Sequence, residues 1–385
     1  MNLAHPGPTR AIVHLDRIAD NLRSIREKVG PHRGILMAVK ADAYGHGAVE
    51  VSRYVEREKL ADWFGVATVG EGVELREAGI RSPILKFSPA LAGDEVSAAL
   101  EADLTLTVAS RAEADAVEQA ASARRTRASV HIAVDTGMGR IGLAPKEVQR
   151  FAEHVLDHCP HVRVAAMFTH FAVSDTVDEE SIGYTGDQIG LLRQAVATCS
   201  ETLGYMVEMV HAANSGGVLG HPESWGSMVR PGIMAYGYYP DPSTPRTITL
   251  RPALEWRAPI TFVKRVLAGQ SISYGRTWVA PSDTWIATLP VGYADGYRRL
   301  LSNTARVLAH GRSYPVVGRV CMDQTMIDLA GMAGRSPLQV GEEVVLLGES
   351  GDQRYTADEM AADLNTISYE VLTLIGGRVR REYRE

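Results

Sequence analysis

Long apolar runs are missing from this chain. No window approaches the ~18 uninterrupted apolar residues of a membrane-spanning helix, so no membrane segment is expected. Cysteine is scarce. Cys159, Cys199 and Cys321 lie far apart, in neither an even disulfide framework nor a metal-ligand spacing, which suits free buried thiols in a reducing compartment. Basic runs are absent too, and a net charge of −6 argues against a nucleic-acid partner. The opening residues Met1 to Arg10 hold two prolines and no apolar core of a signal peptide. No internal repeat or low-complexity tract stands out. These absences leave a cytoplasmic protein with no membrane and no nucleic acid to bind.

What is present is a long globular chain. Its 385 residues exceed one ordinary core, so two domains are the default. A short strand, Ala11 to Leu15, precedes a helix capped by Asp16, with Ile18, Leu22, Ile25 and Val29 at helical spacing. Strand-like runs then begin near Ile35, Phe64, Ile84, Leu104, Val130, Val164, Val207 and Met228. Helical patterns such as Gly70 to Ala78, Arg111 to Ala121, Lys146 to Leu156 and Ser181 to Thr202 lie between them. Strand and helix in alternation mean parallel βαβ units. Eight units ending near Gly237 count out a (β/α)8 TIM-type barrel over residues 11–238. An open doubly wound sheet would want a glycine-rich turn after its first strand, and Lys40-Ala41-Asp42-Ala43 is not one.

Tyr239 to Arg251 carries Pro240, Pro242 and Pro245 and reads as a linker. Residues 246–385 change grammar. Short β-rich runs (Pro259 to Leu267, Trp285 to Pro290, Ala305 to Ala309, Tyr314 to Val317, Thr325 to Leu329, Glu343 to Leu347) alternate with Gly, Pro and Asp. One late helix, Thr356 to Leu364, has Thr356 at its cap and Glu359 three residues on, a capping box. The expectation is a mostly β C-terminal domain. The strand Ala11 to Leu15 has no place in the barrel count and is left to pair with this domain.

In such a barrel the C-terminal ends of the strands build the active site. The run Gly34 to Val39 ends at Lys40, followed by Tyr44. Taken alone, such a lysine is most simply a strand-end residue reaching water. The other strand ends alter that reading. They carry Asp135 to Arg140, Thr169-His170, His211 to Gly217 and Arg230 to Ile233. The loops after strands seven and eight, with Asn214, Ser215, Gly232 and Ile233, hold the usual phosphate-binding positions of this fold. A phosphate site facing a desolvated lysine describes pyridoxal phosphate, the lysine holding its aldehyde as a Schiff base.

The run Ala38 to Gly47 resembles the pyridoxal-lysine motif of bacterial alanine racemases. Asp135 to Gly142, Thr169 to Ala172, Ala213-Asn214-Ser215, Arg230 to Ile233, Ser273-Tyr274-Gly275, Gly292 to Tyr297, Cys321-Met322-Asp323 and Ile367 to Glu370 are similar to further motifs of that family, in family order. The resemblance implies that Lys40 holds pyridoxal 5'-phosphate and is one of two catalytic bases. Tyr274, from the second domain, would be the other. Tyr274 would face the opposite subunit's barrel, which implies a homodimer with shared active sites. Tyr44, Ser215, Gly232, Ile233 and Tyr369 would bind the phosphate, with Asn214 beside them. Arg230 would face the pyridine nitrogen with His211 behind it, and His170 would support Tyr274. Arg140 and Met322 would lie around the substrate carboxylate, and Tyr293 would line the entrance.

Two bases suit racemisation, which removes the Cα proton from one face and returns one to the other. An arginine at the pyridine nitrogen does not readily give up a proton, which weakens the ring as an electron sink and limits side reactions. One position departs from the family pattern. Many racemases have a carbamylated lysine two residues before Asp135, and here that residue is Ala133, leaving Arg140 without its usual anion. That departure keeps a racemase of serine, or one of broad specificity, open beside the alanine enzyme. A barrel-fold decarboxylase would usually set an acid where Arg230 stands. A non-catalytic pyridoxal phosphate carrier would have no use for Tyr274.

Overall fold

The computed structural model describes residues 8–91, 93–330 and 336–385. Contacts divide the chain into two compact units. One comprises Arg17–Ala43 and Ala48–Arg251. The other comprises the segment ending at Asp16, Tyr44–Gly47 and Pro252–Glu385.

The first unit holds eight strands. They are Gly34–Ala38, Trp63–Val66, Ile84–Lys86, Thr105–Val108, Ala128–Ala133, Val162–Phe168, Met209–His211 and Met228–Val229. Every recorded pairing among them is parallel, and the last strand pairs with the first. The remaining seam, between the seventh and eighth strands, is bridged by Ser227 N to Val210 O at 3.0 Å and Arg230 N to Ala213 O at 2.8 Å. The result is a TIM-like barrel. Its strands are nearly continuous buried runs, as two-sided burial requires.

The helices sit where apolar periodicity places them, at Val69–Glu77, Arg111–Ala123, Val148–His158 and Glu179–Leu203. The first helix begins one residue early, at Leu15, so Asp16 belongs to its first turn and is not its cap. An acid there still complements the helix dipole.

The first barrel strand stops at Ala38, earlier than the apolar run suggests, because the chain turns sharply at Lys40. Ala41, Asp42, Ala43 and Tyr44 all have φ between 52° and 54°, a left-handed turn built without glycine. Each such residue costs roughly 1–2 kcal/mol. Three bonds offset part of this. Ala43 N donates to Val39 O at 2.8 Å, Ala48 N donates to Asp42 Oδ1 at 2.7 Å, and Ala41 N donates to Glu71 Oε1 at 2.8 Å. The other oxygen of Glu71 accepts Ala67 N at 2.7 Å and Thr68 N at 3.1 Å, while Thr68 Oγ1 caps Glu71 N. One carboxylate thus closes a capping box and pins the turn after Lys40.

The second unit is mostly β. Its larger sheet contains Arg312–Pro315, Arg306–Ala309, Glu343–Ser350, Leu254–Pro259, Arg10–His14 and Arg380–Arg384 in that order. Arg10–His14 pairs antiparallel with Leu254–Pro259 and parallel with Arg380–Arg384. A second sheet joins Phe262–Val266, Thr284–Leu289 and Thr325–Asp328. The run read as one strand, Pro259 to Leu267, is therefore the end of one strand and the start of another in a different sheet. Buried Trp256 meets Tyr297 edge-on at 5.8 Å.

Helix Ala357–Leu364 has the anticipated capping box. A second late helix, Ser368–Thr373, lacks a side-chain cap and was not anticipated. It packs against Tyr44–Gly47. The rings of Tyr44 and Tyr369 lie 6.0 Å apart, and Arg381 donates to Gly45 O at 3.1 Å and 3.2 Å. Gly45 has φ +82°, and a Cβ there would lie 2.2 Å from Leu372 O, so both torsion and space demand glycine.

Two measurements check this account. Glu71→Ala removes three acceptor contacts and is expected to cost about 2 kcal/mol in urea unfolding, with an unchanged m-value. Glu255, 7% exposed, accepts from His14 at 2.9 Å and Arg257 at 2.7 Å. Burial alone would raise its pKa, but the bonds from His14 and Arg257 hold it down at about 2. A depressed folded pKa gives stability that is complete above the unfolded value near ~4.5 and is lost as pH falls toward ~2, on the order of 3 kcal/mol. Glu255→Gln should flatten that acid limb in unfolding measured from pH ~7 to ~3.

Candidate active site

The polar strand ends of the barrel unit converge on Arg230, which follows the eighth strand. Its guanidinium is buried at 5% exposure. Nη1 donates to His211 O at 2.8 Å and contacts His211 Nδ1 at 2.9 Å. Nη2 donates to Thr169 O at 2.8 Å and Ala212 O at 3.1 Å, and contacts His170 Nδ1 at 3.4 Å. The cation also lies 5.3 Å from the Phe168 ring. Burial and the charge of Arg140 lower its pKa to about 9, which still leaves it charged at neutral pH.

That fixed cation sets its neighbours. Burial, then Arg230, Arg140 and Lys40, push His170 down to about 3. Burial and Arg230 hold His211 well below its usual range. Both rings are neutral. Because Arg230 can only donate, their Nδ1 atoms accept and their protons sit on Nε2, an assignment made from the bonding pattern. His211 Nε2 then donates to His131 Nδ1 at 3.1 Å. His131 is completely buried, its pKa lowered to about 3 by burial and Arg230, and its Nε2 has no hydrogen-bond partner among the described residues.

Lys40 opens the left-handed turn. Burial and Arg140 lower its pKa, Glu71 opposes them, and Arg230 lowers it further. Its amine lies 6.0 Å from the Phe87 ring. Lys86, closing the third strand, makes a useful contrast. It is more deeply buried, and its ammonium is spent on Ser88 O at 3.0 Å, Pro89 O at 2.8 Å and Glu95 at 3.6 Å. A lysine held by oxygens keeps its charge, whereas burial and neighbouring guanidinium groups work against the charge of Lys40.

The loops after strands seven and eight meet at Ser215. Its Oγ accepts Gly232 N at 3.1 Å and Met234 N at 3.4 Å. Asn214 Oδ1 caps the following turn through Gly217 N at 2.9 Å and accepts Ser174 Oγ at 2.8 Å. Ile233 is fully buried. Arg140 is exposed and makes no ion pair among the described residues, and Ala133 is buried at 2% exposure.

Tyr274, Tyr293 and Met322 belong to the other unit, which gathers them on neighbouring loops. Ser273 Oγ donates to Arg319 O at 2.6 Å and meets Cys321 Sγ at 3.5 Å. Tyr293 N donates to Cys321 O at 3.1 Å, and Ala294 N to Met322 O at 3.0 Å. All three side chains are exposed, Tyr274 most of all at 73%. Cys321 is only half-buried, unlike Cys159 and Cys199, and all three thiols are free.

Sequence reading missed three contributors. His131 was signalled only by a histidine between Val130 and Ile132, which pattern cannot tell from a core residue. Gln188 had no signal. Buried in helix Glu179–Leu203, it donates to His170 O at 3.0 Å and to Thr136 Oγ1 at 3.2 Å, and accepts Ala172 N at 3.1 Å. It thereby fixes the loop that carries His170. Glu71 was the third.

The donor set fits pyridoxal phosphate. Lys40 is an amine whose pKa is lowered by burial and by Arg140. The Nε–H of buried Arg230 has no acceptor among the described residues, which suits a ring nitrogen. Ser215 Oγ accepts two backbone amides, which leaves its hydroxyl proton to donate and suits an anion.

Comparisons with known proteins point the same way. The family description for the alanine racemase N-terminal domain matches residues 13–240, and that for the C-terminal domain matches residues 253–383. An alanine racemase of Cutibacterium acnes is 49% identical, covering 98% of each chain. A solved alanine racemase of Clostridium difficile 630 is 37% identical with a TM-score of 0.90, covering 99% of this chain and 97% of that one. The Bacillus anthracis alanine racemase with bound L-Ala-P is 33% identical with a TM-score of 0.91, covering 100% of this chain and 96% of that one. Members of this family depend on pyridoxal phosphate, and the chain belongs to the alanine racemase family.

Proposed function

We propose that Lys40 and Tyr274 are the two bases with which this enzyme interconverts L- and D-alanine. The observation that carries the first assignment is the half-buried amine of Lys40 at the end of a barrel strand, its pKa lowered by burial, Arg140 and Arg230. When bound, pyridoxal phosphate acidifies the Cα proton of the amino acid it carries. The residues to hold it are Lys40 at its aldehyde, Arg230 at its ring nitrogen, and Ser215, Gly232, Ile233, Tyr44 and Tyr369 at its phosphate. Asn214 shapes that last loop by capping.

Arg230, charged at neutral pH, would donate to the ring nitrogen and supply it no proton. His170 and His211, held neutral, orient the guanidinium and do not exchange protons with substrate near neutral pH. Lys40, its pKa lowered, would take or give the Cα proton on one face. Tyr274 Oη serves the other face. Arg140 and Met322 are assigned to the substrate carboxylate, and Tyr293 to the entrance.

The exposure of Tyr274 supports a homodimer in which Tyr274 of one protomer serves the barrel of the other. Burial against a second chain would take its phenol out of open water. Three free thiols support a reducing cytoplasm, where the enzyme would supply D-alanine.

The test is exchange of the Cα proton in deuterated water, followed separately from L- and D-alanine. Tyr274→Phe should keep the visible absorbance of the lysine-bound cofactor, lose racemisation by at least ~100-fold, and still exchange the proton of one enantiomer. Equal exchange with both enantiomers would refute the two-base assignment. Lys40→Ala should lose that absorbance, and its retention would refute the first role.

A further inference from the structure

Outside the rim residues, a second cluster of chemically able side chains joins two helices of the barrel's outer layer. Asp115 lies on helix Arg111–Ala123, His154 lies on helix Val148–His158, and Cys159 follows that helix directly. One ligand atom from each lies within 4.8 Å of the other two. His154 Nε2 is 2.6 Å from Asp115 Oδ1, and Cys159 Sγ is 3.8 Å from the same oxygen. Cys159 is buried at 1% exposure, and the side chains of His154 and Asp115 are 17% and 54% exposed. The cluster is therefore sealed on the sulfur side and open on the carboxylate side.

We propose that Asp115, His154 and Cys159 bind a divalent transition-metal ion of the zinc class, with a water molecule as the fourth ligand. One thiolate, one imidazole nitrogen and one carboxylate oxygen make a donor set that suits Zn2+, whereas Mg2+ and Ca2+ select oxygen ligands.

The dimensions agree. With bonds of ~2.0–2.3 Å, tetrahedral ligand atoms lie roughly 3.2–3.7 Å apart. The Sγ–Oδ1 separation of 3.8 Å lies just above that range, and His154 has to move away from Asp115 by less than ~1 Å. Binding releases the thiol proton of Cys159 to solvent, and the His154 proton moves from Nε2 to Nδ1, so that neutral Nε2 and the thiolate face the ion. No oxidant or reductant is involved.

A supporting frame is in place. Glu118, three residues after Asp115, accepts His161 N and His161 Nδ1, both at 2.7 Å. These bonds fix the short loop Cys159–His161 between the helix and strand Val162–Phe168. The ion would clasp the two helices to the loop that leads into the strand ending at Thr169 and His170. It would stabilise the barrel without touching substrate, so the proposal stands apart from the racemase reading.

Cobalt(II) titration of the holoenzyme tests this, with zinc as competitor. One equivalent per chain should give a near-ultraviolet thiolate-to-cobalt charge-transfer band that zinc displaces. Cys159→Ser should abolish the band. His154→Gln, at a partly exposed position, should weaken zinc binding by at least ~100-fold and remove the zinc-induced rise in melting temperature. Cys199→Ser and Cys321→Ser should leave the band intact. A band that survives Cys159→Ser, a band lost in either control, or no saturable binding of either metal would overturn the proposal.

Discussion

A guanidinium enclosed in the barrel has few ways to be satisfied. Taking an isolated cation out of water costs several kcal/mol unless oriented dipoles replace the lost hydration. For Arg230 those dipoles are the carbonyls of Thr169, His211 and Ala212. All three sit at the ends of the sixth and seventh strands, where carbonyls have run out of strand partners. The barrel supplies its own counter-dipoles, and no carboxylate is needed. The consequence is an uncompensated positive field at the rim. It adds to burial in lowering the pKa of His170, His211 and His131, and it lowers that of Lys40 by less than burial and Arg140 do. Burial keeps the rings neutral, and the donating guanidinium selects the tautomers of His170 and His211.

The second constraint is strain. Four left-handed residues follow Lys40, and the chain holds them from both sides of the turn. Glu71 takes the amide of Ala41 within the barrel unit. Tyr369, Leu372 and Arg381 hold Tyr44 and Gly45 within the β unit. Strain of this kind persists only where its surroundings over-determine it, and it concentrates at functional sites. Here it stops the strand at Ala38 and turns the chain at Lys40. Lys86 shows the alternative, a lysine at a strand end whose charge is fully engaged by oxygens.

The barrel was legible because two-sided burial writes continuous apolar runs, and all eight runs are strands. The β unit was less so. Pro259 to Leu267 looked like one strand because periodicity does not register the change of sheet near Ile260. Arg380–Arg384 had no readable pattern. It is an edge strand of charged residues, held in part by the pairing of Glu382 with Arg10. Helix Ser368–Thr373 is too short to show a period. At the candidate site, Lys40, His170 and Arg230 could be singled out because they lie at or just past the ends of apolar runs. His131 and Gln188 were missed because their partners are remote in sequence: His211 lies 80 residues away, and Thr136 lies 52 away. A polar residue inside an element reveals its purpose only when those partners are in place.

The central claim is that Arg230, protonated and donating, dictates the protonation of the histidines around it. Neutron diffraction from the holoenzyme near neutral pH reads this directly. The account predicts a fully protonated Arg230, with single protons on Nε2 of His170 and of His211 and none on their Nδ1 atoms. A proton on Nδ1 of either ring, or a doubly protonated imidazolium at either position, would contradict it.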